Sequence, residues 1–299
     1  MRKFPDFLCV GFQKCGTTWL HRNLKTHPNI WLPPVKETHY FNERYEGSFL
    51  GKIRNHIKHL SHLFSKPRYS KQLYWLIRLK FINHSIKNFR WSLRYFFWPR
   101  NDTWYSSLFQ LGGNKILGEI APTYASLNKK QIAHIHALMP EAKVIFIIRN
   151  PILSAWSHLQ MNFRNRNSES IEDLTESEII EELSDSSLIN IDYIQAIDNW
   201  KTYYPEKQVL VVFFDEILEK PDQLLHKICQ FIGAEIDKDY EKQIFKTKVN
   251  ASSSQTKMPQ NIAVYLANNY HDKITRLSQL FAGSANIWLT FCEDILREK

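Results

Sequence analysis

The chain has little with which to cross-link itself and little with which to stay loose. Its four cysteines, Cys9, Cys15, Cys229 and Cys292, include no Cys-x-x-Cys pair. A disulfide framework and a zinc ribbon are therefore excluded, and a reducing compartment fits. Nine glycines and twelve prolines in 299 residues exclude collagen-like and linker-rich chains. No apolar run approaches the roughly 20 residues of a membrane span; the longest, VIFII and VLVVFF, read as buried strands. The amino-terminal MRKFPDFLCVGF joins two basic residues to a short apolar run that glycine ends, which predicts a strand and not a signal peptide. The expectation is a soluble, cytoplasmic protein.

Negative charge is missing from one stretch. Between Gly47 and Asn101 there is no acidic residue but there are twelve Lys and Arg. Without those twelve, 27 basic residues face 30 acidic ones, so this segment supplies the whole excess behind the formal net charge of +9. Aromatics such as Trp75, Trp91, Tyr95, Phe96, Phe97 and Trp98 are interleaved with the cations. Three readings follow: a lid for an anionic or sugar-containing acceptor, peripheral membrane contact through 52–100, or a solvated helical hairpin. Nucleic-acid binding uses the same composition and defines the non-enzymatic alternative, a basic nucleic-acid- or membrane-binding module on a degenerate nucleotide fold. The opposite bias, eight carboxylates from Glu169 to Asp185 without a Lys or Arg, reads as a solvated helix and loop.

Hydrophobic residues make up 43% of the chain, enough for a sizeable core. Four β-rich runs, 7–12, 116–121, 143–149 and 208–214, are mostly apolar on both faces, as central strands of a parallel sheet must be. Helical patterns separate them at Thr17–Lys25, Ser126–Met139, Ile191–Tyr204 and Pro221–Ile232. This alternation predicts an α/β fold, a doubly wound central parallel sheet flanked by helices, with ligands at the carboxyl ends of the strands. One domain over 1–299, with 47–101 as a basic aromatic insertion, is the economical organisation.

The first strand runs into Gly11-Phe12-Gln13-Lys14-Cys15-Gly16-Thr17-Thr18-Trp19-Leu20. A strand, a glycine-bounded loop and a helix start present backbone N–H groups to an anion and make a phosphate cradle. The G-x-x-x-x-G-K-[ST] pattern is met at both glycines, but Thr17 stands at its lysine position and the lysine lies inside the loop as Lys14. A P-loop kinase would also place an acid for magnesium at a neighbouring strand end, where this chain has Arg149. Arg149-Asn150-Pro151-Ile152-Leu153-Ser154-Ala155-Trp156-Ser157 offers a planar fork for phosphate and a hydroxyl two helical turns on.

These two segments resemble the sulfotransferases that use 3′-phosphoadenosine 5′-phosphosulfate (PAPS). Val35-Lys36-Glu37-Thr38-His39-Tyr40-Phe41 is similar to the KExHFF segment of heparan sulfate-type N- and 3-O-sulfotransferases and their bacterial relatives. Trp104 to Phe109 and Gly118 to Tyr124 extend the likeness, as does, less specifically, Val249 to Ser252. The resemblance implies a P-loop-like fold and sulfuryl transfer from PAPS to a hydroxyl or amine of a glycan, glycolipid or related acceptor, leaving 3′-phosphoadenosine 5′-phosphate (PAP). It implies that Lys14, Cys15, Gly16, Thr17, Thr18 and Trp19 hold the 5′-phosphosulfate and that Arg149 and Ser157 read the 3′-phosphate. Lys14 would act on the leaving group, Glu37 as general base, and His39 beside it on the same face if the segment is extended. No metal is required. Where the glycan-modifying relatives carry an acid and a lysine, this chain has Asn42 and Ile120, so a glycosaminoglycan acceptor does not follow.

Overall fold

The computed structural model describes residues 3–42, 86–166, 171–185, 191–244 and 257–298. The basic segment up to residue 85, and the Val249–Ser252 motif, lie outside the described residues. Five parallel strands form one sheet in the order β2-β3-β1-β4-β5: β1 Phe7–Gly11, β2 Ile30–Trp31, β3 Ile116–Ile120, β4 Lys143–Ile148 and β5 Val209–Phe213. The four strands expected from composition are present, each ending within a residue or two of its expected bound. The short β2 was not expected: two residues cannot show a period.

Central β1 is buried along its whole length, with β3 on one side (Leu8 opposite Glu119) and β4 on the other (Cys9 opposite Ile145). Consecutive strands therefore leave β1 in opposite directions, and the crevice at its carboxyl end is the topological switch point where open α/β sheets bind ligands. Gly118 permits the close pairing, since a Cβ there would lie 2.0 Å from the Phe7 ring.

The helices follow local signals. Helix α1, Thr17–Thr26, starts at Gly16, whose φ of 92° is a left-handed conformation that suits glycine. Helix α2, Ile86–Phe97, lies at the described end of the basic segment, and α3, Asp102–Ser107, follows it, capped by the Asn101 side chain accepting from Trp104 N–H. Helix α4, Lys129–Leu138, opens with an Asn128–Gln131 capping box. Helix α5, Pro151–Arg166, begins with proline at its first position, and Asn150 Oδ1 accepts from Ile152 N–H at 3.0 Å. Then come α6 Glu176–Asp185, α7 Tyr193–Lys201, α8 Phe214–Glu219, α9 Pro221–Ile232 and α10 Lys238–Ile244. The chain closes with two helices that the sequence reading left unassigned, α11 Gln260–Phe281 and α12 Ser284–Arg297. Trp288 of α12 is buried and its indole N–H reaches the Asp215 carboxylate, so this hairpin packs beside the end of β5.

The described end of the basic segment is not all surface. Trp91, Tyr95 and Phe96 of α2 are buried, and Trp91 Nε1 donates to Leu108 O at 2.8 Å. Phe97 and Trp98 remain exposed. Three of the aromatics grouped above as candidates for sugar or lipid contact are thus core residues. Composition alone could not separate them, because the helical face that each occupies decides. Among the described residues no helix is long and apolar enough to cross a membrane.

Candidate active site

The loop after β1 carries Lys14 at φ 62°, and the loop after β2 carries Glu37 at 66° and His39 at 56°. Only four non-glycine residues among the described ones have positive φ, and these are three of them. The left-handed region costs such residues of order 1–3 kcal/mol each and persists where surrounding contacts over-determine it. The 37–39 segment is therefore not extended, which was the condition for strand alternation to place Glu37 and His39 on one face. Glu37 and His39 still meet, Nε2 lying 3.7 Å from Oε2, but two left-handed residues bring them together and not strand alternation.

The contacts that hold the 37–39 turn come from β3. Thr38 is buried, and both its N–H and its hydroxyl donate to Glu119 Oε1. The Tyr105 hydroxyl donates to the other carboxylate oxygen at 2.6 Å. Glu119 is buried and its carboxyl is pushed above the usual range by desolvation, against which these hydrogen bonds work. Sequence reading placed Glu119 in a motif without giving it a role.

Lys36 joins this turn to the first loop. Its ammonium lies 3.1 Å from Glu37 Oε1 and donates to the hydroxyls of Thr17 and Thr18 at 3.4 Å. A Lys36–Glu37 pair between adjacent residues is the bland outcome that any exposed Lys-Glu dipeptide invites. The two threonine contacts give the lysine a second address on the anion cradle, which spacing along the chain did not signal.

In the cradle, the N–H groups of Gly16, Thr17 and Thr18 have no partner among the described residues, whereas Cys15 N–H donates to Phe12 O and Trp19 N–H to Gly16 O. The Cys15 thiol is buried, 3.8 Å from the hydroxyls of Ser154 and Tyr193, and burial pushes it up to about 11. Of the residues expected around the 5′-group, Cys15 and Trp19 therefore keep no free N–H for an anion and pack the loop. A Cβ on Gly16 would lie 2.4 Å from Ile217 Cδ1, so the loop closes against α8 only with glycine there.

Arg149 follows β4, with Nη1 donating to Lys14 O at 3.1 Å and its guanidinium carbon 4.4 Å from the centre of the Phe214 ring. No carboxylate among the described residues lies within ion-pair distance of it. Lys14 is held below the ordinary lysine range by burial and by the charges of Arg164 and Arg149. Arg164, which sequence reading missed, stands seven residues past Ser157 and hence on the same face of α5. Ser157 is buried on that helix, while Ser154, one turn earlier, donates to Gln13 O at 3.4 Å. The result is a cluster of cations and free N–H groups in which no described carboxylate pairs with Arg149, the charge of Asp215 reaching it only beyond ion-pair distance, and such a cluster suits an anion.

Asn42 stands near His39, its Oδ1 3.4 Å from Nδ1, and accepts from the Thr123 hydroxyl at 2.7 Å. Ile120 is buried at the carboxyl end of β3.

The family model described as "Sulfotransferase family" matches residues 5–238. Carbohydrate sulfotransferase 15 of Rattus norvegicus is 23% identical over 97% of this chain and 55% of its own length. Bifunctional heparan sulfate N-deacetylase/N-sulfotransferase 1 of Homo sapiens is 24% identical over 93% of this chain and 30% of its own. The chain thus spans about half or less of these curated relatives. A sulfotransferase crystal structure from Alicyclobacillus acidocaldarius shares the fold, with a TM-score of 0.59 and 21% identity over 95% of this chain and 98% of that one.

Proposed function

The chain belongs to the sulfotransferase family, and from that premise we propose that it moves the sulfuryl group of PAPS to a hydroxyl or amine of a glycan, glycolipid or related acceptor. One observation carries this reading: Lys14, Arg149 and Arg164 converge with the unpartnered N–H groups of Gly16, Thr17 and Thr18, and no carboxylate pairs with Arg149 among the described residues. A partly buried cation without a counter-ion is costly unless an anion completes it. A donor bearing a 5′-phosphosulfate and a 3′-phosphate supplies two, the first over the loop and the second at Arg149 and Ser157. The kinase reading is less favoured, since β4 leads into Arg149 where magnesium would want an acid.

In this reading the acceptor oxygen or nitrogen attacks sulfur as the bond from sulfur to the phosphate oxygen breaks. Glu37 takes the acceptor's proton. Lys14 neutralises or protonates the departing phosphate oxygen, a role that a lowered ammonium pKa suits. Lys36 holds Glu37 against the cradle, and His39 orients or assists the base. The N–H groups at Gly16, Thr17 and Thr18 fix the 5′-phosphate. We take 1–299 as one domain with 47–101 inserted in it, and four free thiols support a reducing, cytoplasmic site of action.

Calorimetric titration with PAP and AMP in the presence of EDTA tests the assignment. PAP should bind the more tightly, because only it carries a 3′-phosphate for Arg149. Equal affinities would overturn it.

A further inference from the structure

Helix α7 divides its faces by spacing. Tyr193, Ile194, Ile197 and Trp200 are buried, while Asp192, Gln195 and Asn199, on the i, i+3, i+7 stripe, line a cavity of about 460 Å³. Gln13, Thr123 and His158 supply other parts of its wall. The volume falls within the roughly 300–1,000 Å³ of small-molecule sites. The cavity reaches the reacting centre, because Thr123 Oγ1 lies 3.4 Å from His39 Nδ1 and Gln13 directly precedes Lys14.

The chemistry of this wall differs from that of the cradle. Among the described residues no Lys or Arg lines it, so the cations assigned to the donor stand elsewhere. Its one acid, Asp192, accepts from Gln195 N–H at 3.0 Å and from Arg276 Nη1 at 3.3 Å. Gln195 Nε2 donates to Asn199 Oδ1 at 3.2 Å, which leaves one amide oxygen and one amide N–H₂ uncommitted along the stripe. Burial and the charge of Lys14 hold His158 below the ordinary histidine range, so a neutral imidazole completes the set. Hydrogen-bonding groups thus sit among apolar ones such as Phe12, Ala125 and Leu127, as the polar edge and apolar face of a sugar ring require, and a carboxylate or sulfate entering the cavity would find no cation in its described wall, Arg276 being taken up by Asp192.

We infer that this cavity seats the acceptor, and that the amide stripe of α7 selects an uncharged, polyhydroxylated sugar ring over a carboxylated or sulfated one. The inference rests on the sulfotransferase reading above and narrows its acceptor.

The test loads the whole protein with PAP and titrates it with neutral disaccharides built from glucose, galactose, mannose and N-acetylglucosamine, each beside its uronate and 6-O-sulfate counterparts. At least one neutral disaccharide should bind, with its charged counterparts about tenfold weaker or more. The double variant Gln195→Leu, Asn199→Leu should weaken the neutral ligand by on the order of tenfold while PAP affinity holds. Gln195 is exposed, so Gln195→Lys should fold and should narrow or reverse the discrimination against the sulfated form. Charged forms binding as tightly as neutral ones to the unaltered protein would overturn the inference, as would unchanged affinity in the leucine variant, or no disaccharide binding while PAP binds. Failure of PAP itself to bind would instead overturn the donor reading, so the two failures are separable.

Discussion

Oε1 of Glu119 takes both donors that Thr38 can offer, the backbone N–H at 2.9 Å and the hydroxyl at 2.6 Å. Thr38 sits between the two left-handed residues Glu37 and His39, so a buried carboxylate on the sheet fixes the one turn that the proposed base needs. Glu119 is a positioning residue in this account. Glu119→Ala strands the donors of Thr38 and Tyr105 in the interior and should cost about 2–5 kcal/mol of stability in denaturant titration. Glu119→Gln keeps an acceptor for Thr38; it should fold, bind PAP unchanged and lose about 10- to 100-fold in kcat, as loss of geometry alone does. Turnover at the parental level in the glutamine variant would remove Glu119 from the mechanism.

The same carboxyl gives a pH signature. Its folded pKa is raised above the unfolded value, so its contribution to stability is complete below about pH 4.3, the unfolded value, and is lost as pH rises through the folded pKa. Glu119→Gln should remove that decline. Urea midpoints measured from pH 4 upward would show the variant's curve flatter than the parent's, and parallel curves would count against it.

Lys14 should set an alkaline limit. If its ammonium must be protonated to act on the leaving group, activity is present below its pKa and lost as pH rises through it. Burial and the Arg164 and Arg149 charges lower that pKa in the free enzyme, so the limb in kcat/KM should fall below the roughly 10.4 of an ordinary lysine. Arg164→Gln should move the limb upward, and Lys14→Ala should cut kcat by on the order of 100- to 1,000-fold. A limb unmoved by Arg164→Gln would assign it to another group.

Glu37 and Arg149 divide acceptor chemistry from donor recognition. Glu37→Gln should abolish transfer and leave PAP affinity nearly intact. Arg149→Ala should erase most of the preference for PAP over AMP, about 10- to 150-fold for a lost charged hydrogen-bond partner. Calorimetry and radiolabelled sulfate transfer on the same preparations separate the two effects. Parallel loss of binding and turnover in Glu37→Gln would place Glu37 in the donor site.

What sequence could disclose here depended on range along the chain. Strands β1, β3, β4 and β5 are apolar runs and the cradle is a contiguous loop, so both could be read directly, as could the bounds of α9 from its leading Pro221 and closing Gly233. Lys36 and Arg164 escaped because their site contacts cross from one strand end to another, and Glu119 because burial turns a surface-type residue into a brace. The 37–39 turn could not be read, since nothing in Glu-Thr-His announces positive φ. The α11–α12 hairpin went unassigned, having no motif to draw attention to its helical period.

The tryptophans at the end of the basic segment offer the last prediction. Trp91 is 2% exposed and Trp98 58% exposed, although both stand among the same cations and aromatics. Trp91 Nε1 bonds Leu108 O, and its ring stacks on Tyr95 at 5.1 Å. Trp91→Ala should therefore cost about 3–5 kcal/mol, as large-to-small changes in a core do. Trp98→Ala should stay within about 0.5 kcal/mol. Any role of the segment in holding an acceptor or a lipid surface then has to pass through exposed groups such as Trp98 and Phe97. Replacing those two with serine should weaken liposome or acceptor binding at unchanged thermal midpoint if such contact exists. A variant with parental binding of both would leave the described end of the segment with a packing role alone.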